Sequence, residues 1–360
     1  MNTKPTSLSK LAYKKFTKNK IGMFSFWYIV LIGFVAVFAY LIAPDNSPNA
    51  NTMHLEIHTK EPFFKTKILH QKKQFKKQNF GNKLFFGNKN TWLETPINQS
   101  KIINDTLIVD LYSESNKITQ QNKIALTNKK QTYKVKEKTF YLGTDKYGRD
   151  LLSRMIVGSR ISFFIGFIAV FISLLIGISI GSIAGYFGGI ADKVIMWLIN
   201  VTWSIPTLLM VITITLALGK GYWQVFIAVG LTMWVEVARV VRGQIISVKQ
   251  QQYVEAANAL GYSNFRIITK HILPNIMGPV IVISAANFAA AILIESGLSF
   301  LGVGAQPPTP SWGGMIKDHY NYIVLGKAYL AVIPGLAIMS LVMAFMLIGN
   351  TLRDALDVKS

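Results

Sequence analysis

Residues 22–42 (GMFSFWYIVLIGFVAVFAYLI) form a run of 21 residues without a charge. A helix of that length crosses the roughly 30 Å hydrocarbon core of a bilayer. Six lysines precede the run: Lys4, Lys10, Lys14, Lys15, Lys18 and Lys20. The run is too long for a cleaved signal and no A-x-A site follows it, so we expect a retained first transmembrane helix. Because positive flanks stay inside, the tail 1–21 is predicted to be cytoplasmic.

Five further apolar segments follow this helix. Their approximate limits are 161–187, 194–218, 222–238, 278–300 and 329–349. One such segment could be a buried helix of a soluble protein, but five of comparable length are typical of a multi-pass membrane protein. The predicted fold class is therefore all-α, with six transmembrane helices and both termini in the cytoplasm. The basic loop 239–277 agrees with that orientation.

The charge of the chain is concentrated in one segment. Of the 360 residues, 51% are hydrophobic and 15% are charged, and the formal net charge is +21. Residues 43–160 hold 21 Lys/Arg and 10 Asp/Glu, a net charge of +11. Loops of this length translocate largely regardless of charge. We therefore interpret the excess as one basic outer segment and expect no nucleic-acid partner. The chain has no cysteine, which excludes disulfides and thiolate metal sites.

The predicted extracytoplasmic insert domain covers 43–141. Short alternating or β-branched runs, at 106–112 and 132–136, are typical of strands. The predicted turns are Phe80-Gly81-Asn82 and Phe86-Gly87-Asn88. These patterns predict a small β-rich domain in 55–141. Three histidines in it could be proposed as metal ligands: His54, His58 and His70. No carboxylate or cysteine pattern completes such a site, so we expect solvated histidines there.

Residues 151–160 have the pattern of an amphipathic helix. The apolar positions share one face at helical spacing: Leu151, Leu152, Met155 and Ile156. The opposite face is polar: Arg149, Ser153, Arg154 and Arg160. Such a helix is suited to the outer membrane interface, ahead of the second span.

The loop 250–277 (QQQYVEAANALGYSNFRIITKHILPNIM) predicts two short helices joined by a reversal. The first covers Glu255 to Leu260, and Gly261 permits the sharp turn at little cost. Ser263 can cap a second helix over 264–272, which Pro274 is expected to stop. Three small residues should leave a surface for another protein: Ala256, Ala257 and Ala259. Three apolar residues should pack the loop on its own spans: Phe265, Ile268 and Ile272.

The spacing of this loop resembles a known signature. It is similar to the coupling loop of permease subunits of ATP-binding-cassette (ABC) importers. The shared pattern is Glu-Ala-Ala, three residues, Gly, nine residues and then x-x-Leu-Pro. The matching positions are Glu255, Ala256, Ala257, Gly261, Leu273 and Pro274, with His271 as in the oligopeptide branch. The segments 142–162, 295–315 and 352–357 resemble the C-type permease of dipeptide and oligopeptide importers. Nothing in 55–141 shares the resemblance.

The resemblance implies a transport subunit of the bacterial cytoplasmic (inner) membrane. It implies two cytoplasmic ATPase subunits, a second B-type permease and an extracytoplasmic substrate-binding protein as partners. The sequence itself contains no G-x-x-x-x-G-K-[ST] loop, so we expect no cofactor or ATPase site in this chain, with ATP and Mg bound by the partner ATPases.

Several span residues are candidates for the translocation pathway. Trp203, Trp234 and Phe288 could line it, although aromatic residues in spans also serve packing. Pro206 is predicted to kink the third span. Glu295 could contact cargo or brace the 301–315 loop, and both interpretations stay open.

Two span patterns predict contacts within the protein. Glu236 and Arg239, three residues apart, are expected to be able to pair on one helix face, either in a substrate role or, more commonly, to position the span at the membrane boundary. The run Gly177, Gly181 and Gly185 predicts close packing with a neighbouring span or with the partner permease.

Other functional classes fit less well. A membrane-anchored enzyme would need a catalytic constellation in 43–160, and none is recognisable in the sequence. A stand-alone secondary transporter would place acids midway along spans, whereas Glu236 and Glu295 lie near span ends. Within the importer class, nickel, an opine or a peptide antibiotic are alternative cargoes to peptides.

Overall fold

The computed structural model describes residues 8–72, 78–89, 92–103, 106–113, 121–125 and 133–356. The first seven α-helices are α1 (Leu8–Lys18), α2 (Lys20–Val37), α3 (Ala39–Ile42), α4 (Phe80–Phe86), α5 (Leu151–Phe187), α6 (Gly189–Trp203) and α7 (Thr207–Leu218). The later helices are α8 (Tyr222–Lys249), α9 (Gln252–Ala259), α10 (Asn264–Arg266), a π-helical turn (Ile267–Ile272), α11 (Leu273–Leu301), α12 (Trp312–His319) and α13 (Tyr329–Leu356). The strands are β1 (Phe64–Lys72), β2 (Trp92–Ile103), β3 (Thr106–Leu111), β4 (Gln121–Ala125) and β5 (Tyr133–Phe140).

Five helical stretches in the described residues are long and apolar enough to cross a membrane. They are α2, α5, α8, the continuous stretch Asn264–Leu301 and α13. The bent pair α6–α7 makes a sixth if its two halves form one span. The chain is therefore a helical membrane protein, as its hydropathy predicted.

The chain divides into two compact units. The helical unit comprises Met1–Gly33, Ser162–Gln306 and Leu336–Ser360. The sheet unit comprises Phe34–Ile161 and Pro307–Gly335. The sheet unit thus includes residues on both sides of position 141, where the sequence placed the end of the insert.

The predicted third span, 194–218, is broken at its middle. Helices α6 and α7 meet at 89°. Pro206 stands immediately before α7, where its missing N–H costs no helical hydrogen bond. Ser204 Oγ lies within hydrogen-bond distance of the carbonyl oxygens of Asn200 (3.0 Å) and Val201 (2.8 Å), so its single O–H satisfies one carbonyl at the end of α6. The predicted kink is confirmed, and it is a sharp break between two helices.

Glycines let α5 and α8 approach closely. Three of them lie at four-residue spacing on α5: Gly177, Gly181 and Gly185. A Cβ on the first would lie 2.9 Å from the carbonyl oxygen of Trp234, and one on the last 2.9 Å from that of Arg242. The predicted packing against a neighbouring span is confirmed. Because the contacts advance in the same direction along both helices, α5 and α8 run parallel.

Helices α2 and α13 run antiparallel. Gly22 lies against the Thr351 side chain, and the hydroxyls of Tyr28 and Ser340 are hydrogen-bonded at 2.7 Å. Residue numbers rise along α2 while they fall along α13, which gives the antiparallel direction.

The sheet has five antiparallel strands in the order β4-β3-β2-β1-β5. The strands predicted around 106–112 and 132–136 are confirmed as β3 and β5. Its apolar cluster consists of Leu69, Ile97, Leu107 and Val109, with Tyr133 packed against it. The predicted turn at 80–82 is wrong, because these residues begin α4. Gly87, in the predicted turn 86–88, ends α4 with φ +79°.

The expectation of a surface helix over 151–160 is wrong. These residues begin α5, and both of the predicted faces are buried or partly buried in the sheet unit. Leu151 and Ser153 are 0% exposed and Arg154 is 4% exposed. The Arg154 guanidinium lies 3.6 Å from the carboxylate of Asp145 and 3.3 Å from the carbonyl oxygen of Asn49. These partners offset part of the cost of burying the charge, although Arg154 Nε has no hydrogen-bond partner among the described residues.

Candidate functional site

Helix α9 and the reversal after it have the predicted form. The helix begins at Gln252, three residues before the predicted start. Gly261 follows with φ +76°, and its N–H donates to the carbonyl oxygen of Asn258 at 3.0 Å. A Cβ at Gly261 would meet no atom within 4 Å. Glycine is therefore favoured here because of the positive φ and not because a side chain would clash with neighbouring atoms.

The second helix of the loop begins as predicted but does not stop at Pro274. Ser263 Oγ accepts the N–H of Arg266 at 3.4 Å, which confirms the cap. The helix then widens into the π-helical turn, where the Leu273 N–H donates to the carbonyl oxygen of Ile268. Pro274 lies in the first turn of α11, where it needs no N–H partner. The expected helix stop is wrong because the π turn and this first-turn position accommodate the ring.

The π turn also changes which residues are buried. Ile267, Ile272 and Ile276 are each 0% exposed. The first two lie five positions apart, and the last two lie four apart. Phe265 is 77% exposed, so its predicted packing against the spans is wrong. Ile268 is partly buried against the cluster, as predicted. A π turn has one extra residue, which displaces the buried face from the 3.6-residue period.

One face of α9 is buried and the other is exposed. Val254 and Ala257 are each 4% exposed and belong to the apolar cluster of the loop. The expectation that Ala257 lies on a free surface is wrong. The exposed residues at the tip are Glu255, Ala256, Asn258, Ala259, Leu260, Gly261 and Phe265. Leu260 is 72% exposed, so the tip carries apolar side chains without cover from this chain.

The loop is tied to the C-terminal end of α5 through Tyr186, which the sequence analysis missed. The Tyr186 hydroxyl donates to Asn264 Oδ1 at 2.9 Å, and Lys249 Nζ donates to the Tyr186 carbonyl at 2.7 Å. Within the loop, the rings of Tyr262 and His271 stack with centroids 5.7 Å apart. His271 therefore braces the two halves of the loop.

A second tie joins α6 to α8. The Arg242 guanidinium binds the Asp192 carboxylate through two contacts of 2.5 and 2.6 Å. The residues lie 50 positions apart, so helical spacing could not reveal the pair.

The pathway candidates occupy different environments. Trp203, which is 57% exposed, lines a cavity of about 190 Å³ together with Thr207, Thr232 and Glu236. Pro206 is exposed at the break beside it. All of these residues lie in the helical unit.

Trp234 and Phe288 lie in packed positions. Trp234 is 8% exposed, in a cluster with Ile199 and Ala238. Phe288 is 7% exposed, and its ring stacks on that of Phe345 with centroids 4.1 Å apart.

The predicted pair of Glu236 and Arg239 does not form. The Arg239 guanidinium lies over the Trp203 ring, 3.6 Å from its centroid, and points towards Asn200 Oδ1 at 3.5 Å. The cation–π contact takes the place of the ion pair.

Glu295 is 1% exposed and accepts a hydrogen bond from Ser299 Oγ at 2.7 Å. The same Oγ accepts the N–H of Ala305 at 3.1 Å. Glu295 thus holds the serine that fixes the start of the loop after α11. This geometry favours the bracing interpretation.

The sheet unit brings residues of the 142–162 segment together with residues 307–319, which include the end of the 295–315 segment. Lys146 Nζ binds Asp318 at 2.9 Å, and Trp312 Nε1 donates to the Met155 carbonyl at 2.9 Å. Burial opposes the charge of Lys146, but the contact with Asp318 outweighs it and raises the pKa of the ammonium. Residues 142–161 and 307–319 of the sheet unit therefore pack together. Of the third segment, Asp357 lies outside the described residues.

Two of the three histidines of the insert converge on Glu94. His54 Nε2 lies 3.6 Å and His70 Nδ1 3.7 Å from its carboxylate, and Lys138 Nζ lies 3.1 Å away. His54 is 3% exposed, so the expectation of a solvated side chain is wrong there, while His58 is exposed. Burial alone would raise the pKa of Glu94, but His54 and Lys138 lower it to about 2. Burial lowers the pKa of His70.

The apolar helices, the broken helix pair and the helix–Gly–helix loop define the class: a helical membrane permease. The chain belongs to the family of binding-protein-dependent transport system inner membrane components, whose model matches residues 177–359. A second model, the N-terminal TM domain of oligopeptide transport permease C, matches residues 7–57. The five strands lie between these two ranges.

Similar proteins include a dipeptide transport system permease protein of Bacillus subtilis, 42% identical over 219 residues, covering 61% of this chain and 68% of the relative. An oligopeptide transport system permease protein of Bacillus subtilis is 40% identical over 233 residues, covering 65% and 76%. A solved structure of the inward facing MetNI methionine ABC transporter is 18% identical with a TM-score of 0.47, covering 57% of this chain and 97% of that one.

Proposed function

We propose that this chain is the membrane-spanning subunit of an ATP-driven importer of peptides in the bacterial cytoplasmic membrane. The family membership and the names of the dipeptide and oligopeptide relatives support this cargo. The observation that carries the mechanism is the 250–275 loop, whose exposed tip sits on a buried apolar base. Nickel, opines and peptide antibiotics remain alternative cargoes for the same machinery.

We propose six crossings, with the bent pair α6–α7 as the third. Helices α5 and α8 are parallel and in contact, so they cross the bilayer in the same direction. The chain between them must then return to the face where α5 began. Residues 188–221 are the segment that does so, and both halves of the bent pair are apolar enough to lie in the membrane together. The antiparallel pair α2 and α13 is consistent with this topology.

The orientation follows from the positive-inside rule. The basic tail 1–21 and the basic loop 239–277 are cytoplasmic, which places the sheet unit outside and the C-terminus inside. A substrate-binding protein would approach the sheet unit, and a second permease would pack beside the helical unit.

We infer that the exposed tip of the loop docks into a groove of a cytoplasmic ATPase subunit. Leu260 and Phe265 supply apolar contacts, and the small Ala256 and Ala259 allow close backbone approach. This chain brings no nucleotide-binding motif, so two partner ATPases supply the ATP chemistry. Tyr186 and Lys249 transmit a displacement of the loop to α5 and α8.

The variant Gly261→Val tests this mechanism. A β-branched residue in the left-handed region costs roughly 1–2 kcal/mol locally, which lowers the ratio of the correctly folded loop to its other conformations about 5–30-fold. No neighbouring atom obstructs the side chain, so insertion and assembly are expected to persist. We expect ATPase stimulation by the loaded binding protein in liposomes to fall, by that factor at most.

Gly261→Asn is the matched control, because asparagine tolerates positive φ. It should retain most of the stimulation. Normal stimulation of the valine variant would show that the loop conformation does not couple ATP hydrolysis to transport.

A further inference from the structure

Helix α4 of the sheet unit exposes an unusual number of phenylalanines for its length. Its seven residues include Phe80, Phe85 and Phe86, which are 69%, 57% and 70% exposed. None of the seven residues is buried. Three large aromatic side chains in water on so short a helix need an apolar partner.

The helix is held firmly at its C-terminal end. Gly87, which ends it, lies against the Tyr40 ring and the backbone of Asn46 and Pro48, where a Cβ would come within 3.0 Å of each. Arg160 Nη1 donates to the carbonyl oxygen of Phe85 at 2.8 Å. The exposed rings are thus presented by a fixed scaffold.

This scaffold contacts the ends of two uncharged stretches of the chain. Helix α4 packs against α3, which forms the end of the apolar run 22–42. Leu41 and Ile42 of α3 are 51% and 43% exposed. Arg160 is the last charged residue before an uncharged stretch that extends to Asp192. Helix α4 therefore lies at the end of the uncharged run 22–42 and at the start of the uncharged stretch 161–191.

We propose that α4 is an interfacial anchor that inserts its phenylalanines among the lipid headgroups at the α3 end of the first span. Two features favour lipid over a protein partner. Helix α4, with its exposed phenylalanines, contacts α3, which exposes the apolar Leu41 and Ile42. Lys83 on the helix and the exposed Lys89 after it suit anionic phospholipids. The basic sheet unit would then lie against the membrane surface.

Site-directed labelling tests this anchor, since the chain has no cysteine. The single variants Phe85→Cys and Phe86→Cys would carry a nitroxide in the full chain, reconstituted in phosphatidylethanolamine–phosphatidylglycerol liposomes. Frequent collisions of the nitroxide with oxygen, which concentrates in the bilayer, indicate that the label lies in lipid. Frequent collisions with a water-soluble nickel chelate indicate that it lies in water. Phe171→Cys on α5, where the side chain is 67% exposed, is the lipid reference. Lys136→Cys on β5 is the water reference.

We expect nickel collisions several-fold below those of the Lys136 label, with oxygen collisions close to those of the Phe171 label. Nickel collisions equal to those at Lys136 would overturn the proposal, because the rings would then face water. Labels inaccessible to both reagents would also overturn it, in favour of a protein cover. Phe80→Cys, at the other end of the helix, provides the same measurement if a variant at 85 or 86 fails to fold.

Discussion

Replacing Gly181 by alanine should separate two transmembrane helices. A Cβ at this position would lie 2.5 Å from the carbonyl oxygen and 3.0 Å from the Cα of Ala238, both backbone atoms that no rotamer change can move. Carbon contacts in packed proteins are about 3.5–4.0 Å, so α5 and α8 must move apart by roughly 0.5–1 Å. Overpacking of this kind typically costs about 1–3 kcal/mol.

The matched control is Gly243→Ala, on α8. A Cβ there would meet no atom within 4 Å, and the glycine is helical, as Gly181 is. Each substitution gains about 1 kcal/mol of helix propensity, so the difference between the two variants isolates the packing cost. We expect Gly181→Ala to be about 1–3 kcal/mol less stable than Gly243→Ala.

The assay is thermal unfolding of the purified chain in detergent, followed by tryptophan fluorescence at one fixed scan rate, because membrane proteins often unfold irreversibly. A lower midpoint for Gly181→Ala is expected. Equal midpoints for the two variants would refute the close α5–α8 contact, and with it the main support for the return of residues 188–221 across the bilayer.

Two further predictions concern the loop and the sheet. Ile267→Ala should destabilise the chain by about 2–5 kcal/mol, since Ile267 is 0% exposed, whereas Phe265→Ala should change stability little, and equal unfolding midpoints would contradict the π-turn register. The carboxylate of Glu94 has its pKa lowered from 4.5 to about 2 beside His54 and Lys138, so its contribution to stability is complete above pH 4.5 and is lost as the pH falls towards 2. The unfolding midpoint of the native chain and that of Glu94→Gln should be measured as a function of pH, and the difference between them should shrink below pH 4.5. A difference that does not depend on pH would contradict this prediction.

Features that depend on local sequence were predictable. The apolar run 22–42 corresponds to α2 and α3, because helical spans are set by hydropathy over about twenty residues. Gly261 and Ser263 were placed correctly, because a positive φ and a helix cap each depend on one residue and its nearest neighbours. The α5 glycines predicted close packing, although only the structure names α8 as the neighbour.

Features that depend on distant contacts were not predictable. Arg154 was assigned to an exposed polar face, but Asp145 and the carbonyl of Asn49 make its burial possible. Asp192 and Arg242 pair across 50 positions, and no pattern within one helix signals that contact. Phe265 was assigned to the buried face because the 3.6-residue period does not anticipate a π turn.

The base of the loop has a consequence for how a displacement of α9 would spread. Its apolar cluster joins residues of α5, α8, α9, the π turn and α11 in one packed group. Val254 and Ala257 on α9 are buried in it with Val241 and Ile272. Close-packed interiors have low compressibility and transmit strain. A shift of α9 would therefore move three apolar helices together and would not be absorbed by bending of the loop. Such a group can act as one rigid body, which is the kind of element that alternating access requires.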